Sequence, residues 1–266
     1  MTEKIGFIGS GNIGESIIRG IIRSGLHSPD GVIASDVDEK RLEYLKNDLG
    51  ISVTTKNKEV VKSSKIVIMA VKPKHIDDVV SEIAPLIGDD KLIISVAAGV
   101  RTDRIEGDGF RTIRVMPNMA CMVGESMSTI CRGKYATEAD EVTAKEIFAT
   151  VGDVATAEED MMDVVTGFAS APAFVFMMIE ALADGGVYEG LDRATSQKLA
   201  AQTILGAAKV ALEMEKHPGA LKDMVSSPGG TTIRGIHVIE EGKLRSVMMN
   251  ALIEATKRSK ELGGSG

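Results

Sequence analysis

Lys4-Ile5-Gly6-Phe7-Ile8-Gly9-Ser10-Gly11-Asn12-Ile13-Gly14 is a short apolar run that ends in a G-x-G-x-x-G. The run from Lys4 to Gly9 reads as a strand. The residues that follow read as a helix, because Ile13, Ile17, Ile18, Ile21 and Ile22 recur at helical spacing through Ser24. Gly25 then closes that helix, as a C-terminal glycine does. The three glycines therefore lie between a strand and the helix it feeds, the context in which this pattern cradles the pyrophosphate of a dinucleotide. Gly9 permits the tight turn, Gly11 keeps side-chain atoms away from the phosphates, and Gly14 lets the helix approach the sheet. Ser10, Asn12 and Ile13 complete the cradle, and the N–H groups at the helix start attract an anion. The competing reading is a glycine-rich turn without a ligand.

The same two periods alternate outward from this point. Gly31 to Asp36 reads as a second strand, and Asp38 as the N-cap of a helix that runs through Leu49 to Gly50. Ile51–Thr55, Ile66–Val71, Leu92–Ala98 and Thr112–Met116 are further apolar runs, with a helix over about Ile76 to Ile87 between them. A helix at Glu138 to Thr150 and a strand near Asp153 to Thr156 end the series. Unbroken Val/Ile runs mark strands covered on both faces, and strand–helix alternation implies a parallel, doubly wound sheet. Ser35 and Asp36 close the second strand, and Asp36 lies 22 positions after Gly14. An acid there accepts hydrogen bonds from the adenosine ribose and repels a 2′-phosphate, which favours NAD. Asp36 and Asp38 both precede a helix, so capping is the alternative role. Lys40 and Arg41 stand close enough in sequence to meet a phosphate, so NADP stays open.

The pattern changes near residue 158. Four helical stretches follow, over about 160–186, 192–216, 230–241 and 243–262, which sets a boundary between residues 1–157 and an all-helical 158–266. The stretch from Val164 to Ala183 is apolar on nearly every side up to Glu180, and such a helix needs cover all round. A second copy of the chain is the expected cover. The alternative is a central helix in a monomeric bundle.

Composition excludes several classes. The chain has 266 residues, 44% hydrophobic and 26% charged, with a net charge of −7, which argues against nucleic acid or an anionic membrane as partner. Two cysteines exclude a disulfide scaffold. The charge-free run from Val164 to Ile179 is short for a bilayer span and contains Pro172. Met1-Thr2-Glu3-Lys4 leads directly into a strand without a signal peptide, so a soluble, cytoplasmic protein is expected. Four scattered histidines, with Cys121 and Cys131, give no metal-ligand spacing, and no metal is expected. No catalytic histidine stands out, and His217 before Pro218 reads as a helix C-terminal cation. Ser227-Pro228-Gly229-Gly230-Thr231-Thr232 is the second polar concentration and precedes a helix, so its N–H groups form an anion site or a plain capped loop.

Several segments taken together resemble pyrroline-5-carboxylate reductase. They are Gly6–Ile17, Ala70–Pro73, Ser95–Gly99, Arg114–Asn118, Ala183–Leu191 and His217–Ile233, in order along nearly the whole chain. The resemblance implies a Rossmann-type α/β domain followed by an all-α dimerisation domain. It implies hydride transfer from NADPH or NADH to the C=N carbon of a cyclic imino acid, giving L-proline as the last step of proline biosynthesis. It further implies that Gly230, Thr231 and Thr232 hold the substrate carboxylate and that the Thr232 hydroxyl meets the ring nitrogen. Ser227 would shape that pocket, with Glu215 on the substrate side. Ala97, Ala98, Gly99 and Asn118 would lie beside the nicotinamide, with Val71, Lys72 and Pro73 along the cofactor. The chain departs from the family at Phe168–Ala173, which is one residue short and poorer in glycine, at Met119-Ala120 after Asn118, and at Asp36. The rival readings are another reductase on the same plan, acting on a 3-hydroxy acid or a different imine or using a deazaflavin donor, and a cofactor-binding protein without turnover.

Overall fold

The computed structural model describes residues 4–107 and 109–264. The first three residues, read above as lacking a signal peptide, lie outside the described residues, as do the last two of the chain. The first part runs β1 (Lys4–Ile8), α1 (Asn12–Ser24), β2 (Val32–Ser35), α2 (Glu39–Leu49), β3 (Ser52–Thr54), α3 (Asn57–Ser63), β4 (Ser64–Met69), α4 (Ile76–Ile83), β5 (Leu92–Ser95), α5 (Asp103–Glu106), β6 (Arg111–Met116), β7 (Ser126–Arg132), α6 (Glu138–Ala149) and β8 (Gly152–Thr156). Helices follow: α7 (Met162–Ser170), α8 (Pro172–Tyr188), α9 (Arg193–Glu213), α10 (Pro218–Met224), α11 (Thr231–Glu241) and α12 (Leu244–Leu262).

Among the described residues, eight strands form one sheet in the order β3-β2-β1-β4-β5-β6-β7-β8. The wholly parallel sheet expected from sequence needs correction. β7 runs antiparallel to β6, with Ile113 opposite Arg132, and β8 then pairs parallel to β7. The other strand pairs are parallel. The order reverses between β1 and β4, and that switch point opens a crevice at the carboxyl ends of the two strands.

Helices cover both faces, so the sheet is buried on each side. Ile5 and Phe7 pack with Ile17, Ile18 and Ile21 of α1 on one face. Ile8, Val67 and Met69 pack with Val60 and Val61 of α3 and Ile76 of α4 on the other. Pro85 ends the helix expected to reach Ile87 early, and a 3-10 turn (Ala84–Leu86) replaces its last part. Asp38 caps α2 through the Lys40 and Arg41 N–H groups, and Gly50 ends it in the left-handed region.

The chain divides into two compact units. One runs up to Ser170 and includes Glu254 onward, and the other is Ala171–Ile253. The switch from alternating to purely helical elements falls after β8, whereas the packing division falls between α7 and α8. The expected helix over 160–186 is likewise divided at Ala171, before Pro172.

In the first unit, Arg114 of β6 is buried, with 1% of its side chain accessible. Its Nη1 donates to Glu159 at 2.5 Å, and its Nη2 lies 3.8 Å from Asp163 of α7. Glu159 also accepts the Thr102 hydroxyl at 2.9 Å, and Asp163 accepts the Ser259 hydroxyl of α12 at 2.6 Å. This cluster fastens the end of α12 to the sheet. Burial, and then the Glu159 carboxylate, push the nearby Cys131 thiol up to about 12, so it stays protonated and inert. Removing one partner of a buried pair leaves a charge without compensation. Glu159→Ala, and Arg114→Met, which strands both carboxylates, are therefore each expected to cost about 3–5 kcal/mol in urea denaturation. Unchanged stability in either variant would contradict this account of the cluster.

Candidate active site

The crevice at the switch point is built from the first strand outward. The Gly9 N–H donates to Ser35 O at 2.9 Å, and the Ala70 N–H to Ile8 O at 2.8 Å, so the ends of β2, β1 and β4 are tied in register. Gly9 has φ +88°, and a Cβ there would stand 2.7 Å from Ala70 O. A Cβ on Gly14 would stand 2.7 Å from Gly9 O. Both positions are closed to any side chain. Gly11 differs, because nothing lies within 4 Å of the place its Cβ would take. Space beside this backbone is left for something other than protein. Gly11 is also the N-cap of α1 and offers no side chain to the first-turn N–H groups.

Ser10 is fully buried and held from both sides. Its N–H and hydroxyl donate to Asp36 Oδ2 at 2.8 and 3.0 Å, and its carbonyl accepts from Arg41 Nε at 2.8 Å. Asp36 Oδ1 accepts the Asp38 N–H at 3.1 Å. Burial pushes the Asp36 carboxyl up, but the Ser10 and Asp38 hydrogen bonds outweigh it and hold the group below the usual carboxylate range. Capping of α2 falls to Asp38, so Asp36 is bound to the glycine turn instead.

A cavity of about 520 Å³ lies against this turn, with Gly9, Gly11, Asp36, Val71 and Lys72 in its wall. These five of the expected cofactor residues are brought together. Asn12 and Ile13 begin α1, and Pro73 begins the 3-10 turn after β4. Ser35 is buried and spends its hydroxyl on Phe7 O and Asn57 Oδ1. Ala97, Ala98 and Gly99 follow β5, and Asn118 follows β6, where its side chain accepts the Ala120 N–H at 2.9 Å. Neither segment lines the cavity. Asn57, His75, Asp78 and Glu82 do line it without having been expected, and only His75, close after Lys72-Pro73, carried any local signal. A larger polar cavity of about 630 Å³ beside Arg132 and Lys134 shares no lining residue with it.

The second unit carries the serine–proline–glycine–threonine loop. Gly229 has φ +67°, the Gly230 N–H donates to Ser227 O at 3.1 Å, and Gly230 is the N-cap of α11 without a side-chain cap. Thr231 opens α11, as its sequence predicts, and Thr232 is half-buried in the same first turn. Ser227 is exposed, and a Cβ on Gly230 would stand 2.3 Å from its Oγ. Glu215 is exposed, with φ 49° just past the end of α9. His217 is not a helix C-terminal cation. Its Nδ1 accepts the Gly219 N–H at 3.1 Å, which makes it the N-cap of α10, a helix absent from the sequence reading.

Curated pyrroline-5-carboxylate reductases of Methanosarcina acetivorans and Escherichia coli are 51% and 38% identical to this chain. They cover 98% and 100% of it, and 98% and 100% of their own lengths. The chain belongs to the pyrroline-5-carboxylate reductase family. Residues 159–262 match the family model for pyrroline-5-carboxylate reductase dimerisation, and residues 4–99 match that for an F420-dependent NADP oxidoreductase. The solved reductase of Coxiella burnetii superposes with a TM-score of 0.91 at 33% identity, covering 98% of this chain and 99% of its own. That of Plasmodium falciparum, with NADP bound, superposes at 0.89 and 30% identity, covering 98% of each chain.

The glycine turn fits a dinucleotide of the kind this family uses, since Gly11 leaves open space where Gly9 and Gly14 leave none. Gly11→Val is expected to weaken NADH binding tenfold or more, about 1.4 kcal/mol, in a fluorescence titration. Its melting temperature should stay close to that of the parent. Unaltered NADH affinity would remove the turn from the site.

Proposed function

We infer that the chain reduces 1-pyrroline-5-carboxylate to L-proline with NADH or NADPH as hydride donor, closing proline biosynthesis. The single observation behind this reading is the 51% identity to a curated reductase over 98% of both chains. It is supported by the presence, in one chain, of the glycine turn and the Ser227–Thr232 loop.

The reduced nicotinamide supplies a hydride to the C=N carbon of the ring. A C–H bond forms there, and the π pair passes to the protonated nitrogen, leaving a neutral amine. Such an iminium is already electrophilic, so the residues contribute by positioning and by charge complementarity. In this reading the backbone from Gly9 to Gly14 holds the pyrophosphate and Asp36 receives the ribose. Val71, Lys72 and Pro73 flank the cofactor, and Ala97, Ala98, Gly99 and Asn118 bound the nicotinamide. The N–H groups of Gly230, Thr231 and Thr232 hold the substrate carboxylate at the start of α11, where the helix dipole favours an anion. The Thr232 hydroxyl hydrogen-bonds the ring nitrogen, Ser227 shapes the loop, and Glu215 stands on the substrate side.

The active form is a homodimer or a multiple of it. Support comes from the exposed Phe176, Met177 and Leu182 on α8 and Leu199, Leu205 and Leu212 on α9, large apolar side chains that a second copy would cover. The run Glu159–Tyr188 is long and apolar enough to cross a membrane by length and composition. A second copy accounts for the same surface. Two free, buried cysteines suit a reducing, cytoplasmic setting.

A steady-state assay tests the reading, with 1-pyrroline-5-carboxylate, its six-membered homologue and no substrate, each with both dinucleotides. Rapid oxidation with the five-membered imine is expected, and none with any imine would overturn it. Thr232→Ala should lower kcat/KM for the imine by roughly 10- to 1000-fold, about 1.4–4 kcal/mol of transition-state stabilisation. An unchanged value would remove Thr232 from the mechanism. Asp36→Ser should raise use of NADPH relative to NADH, and a constant ratio would leave Asp36 only its hold on Ser10.

A further inference from the structure

Ser10 is the meeting point of two opposite charges. The Asp36 carboxylate takes its N–H and hydroxyl, and the Arg41 guanidinium takes its carbonyl. The one cation so close to the ribose-binding acid is therefore Arg41, among the residues bonded to this turn. An arginine there is what a 2′-phosphate requires, as a planar donor set for a dianion. Two of its three nitrogens are already engaged, Nε with the Ser10 carbonyl and Nη2 with Glu15. Nη2 bonds to Glu15 Oε2, and the guanidinium lies 5.5 Å from the centre of the Tyr44 ring. Glu15 is itself half-buried between two arginines, accepting from Arg19 Nε at 2.7 Å. Arg19 in turn reaches Asp48 and Tyr44.

We propose that Glu15 is a specificity-determining residue, which neutralises Arg41 and so tilts the site towards NADH. This rests on the dinucleotide reading of the glycine turn and adds to it a residue outside the glycine motif. The local charge supports it. Asp36, Asp78 and Glu82 line the cavity against Lys72 and His75, so an added dianion enters a wall already richer in carboxylates than in cations. Lys40 is exposed at the first turn of α2, where water and salt weaken its pull. Asp36 repels the 2′-phosphate, and Glu15 withholds the arginine that would offset that repulsion.

The test has one opposite outcome. Glu15 would then hold Arg41 ready for a phosphate, and its loss would weaken NADPH binding. The two roles differ in sign, so one measurement separates them. Isothermal titration of the full-length protein with NADH and with NADPH, without any imine, gives the two dissociation constants. Wild-type protein is expected to bind NADH more tightly. Glu15→Gln and Glu15→Ala should each raise NADPH affinity relative to NADH by roughly three- to tenfold. Adding Arg41→Ala to Glu15→Ala should erase the gain. A ratio that stays constant or falls overturns the proposal, as does an equal loss of both affinities, which would make Glu15 a support of the turn. Wild-type preference for NADPH also overturns it. Failure to bind either dinucleotide would remove the cofactor reading itself, whereas failure to reduce the imine would leave this titration unaffected.

Discussion

The shape of one residue's backbone governs the site. Asp36 holds the N–H and hydroxyl of Ser10 while Arg41 holds its carbonyl. Gly9 before it adopts φ +88°, where a side chain would strike the Ala70 carbonyl. These contacts turn the chain out of β1, so that α1 starts at Asn12 with Gly11 as an N-cap that offers no side chain to the first N–H groups. The bonds from the Gly9 N–H to Ser35 O and from the Ala70 N–H to Ile8 O tie the turn to the ends of β1, β2 and β4.

A second anchor stabilises the other end of the same sheet edge. The turn at Gly99 packs on the last turn of α12, where a Cβ on Gly99 would stand 3.3 Å from Ser259 O. The Ser259 hydroxyl reaches Asp163, which neighbours Arg114 beneath the strand. The last turn of α12 is thereby fastened beside Gly99. Burying Arg114 is costly in isolation, and Glu159 and Asp163 offset that cost.

Much of the α/β half could be read from the sequence because its signals are local. α1 and α2 begin and end where expected, since Gly25, Asp38 and Gly50 each act within one turn of the helix they bound. α3 was missed. Asn57-Lys58-Glu59-Val60-Val61-Lys62-Ser63 shows no apolar period, and only burial of Val60 and Val61 under the sheet sustains it. β7, Ser126 to Arg132, mixes polar and apolar residues, and its antiparallel direction depends on pairing with β6, which no short window encodes. α10 is hidden in the sequence because Pro218-Gly219 reads as a break, although proline at a first helical position is favourable. The glycine motif was legible at the site. The roles of Glu15, Arg41 and Asn57 were not, because each depends on contacts between residues more than twenty positions apart.

A crystal structure of the chain with NADH and an imine analogue bound tests the central claim most directly. The account predicts the pyrophosphate seated over Gly11, with N–H contacts from the first turn of α1 at about 3 Å. A dinucleotide bound instead in the polar cavity beside Arg132 and Lys134, with the Gly9–Gly14 turn untouched, would contradict it.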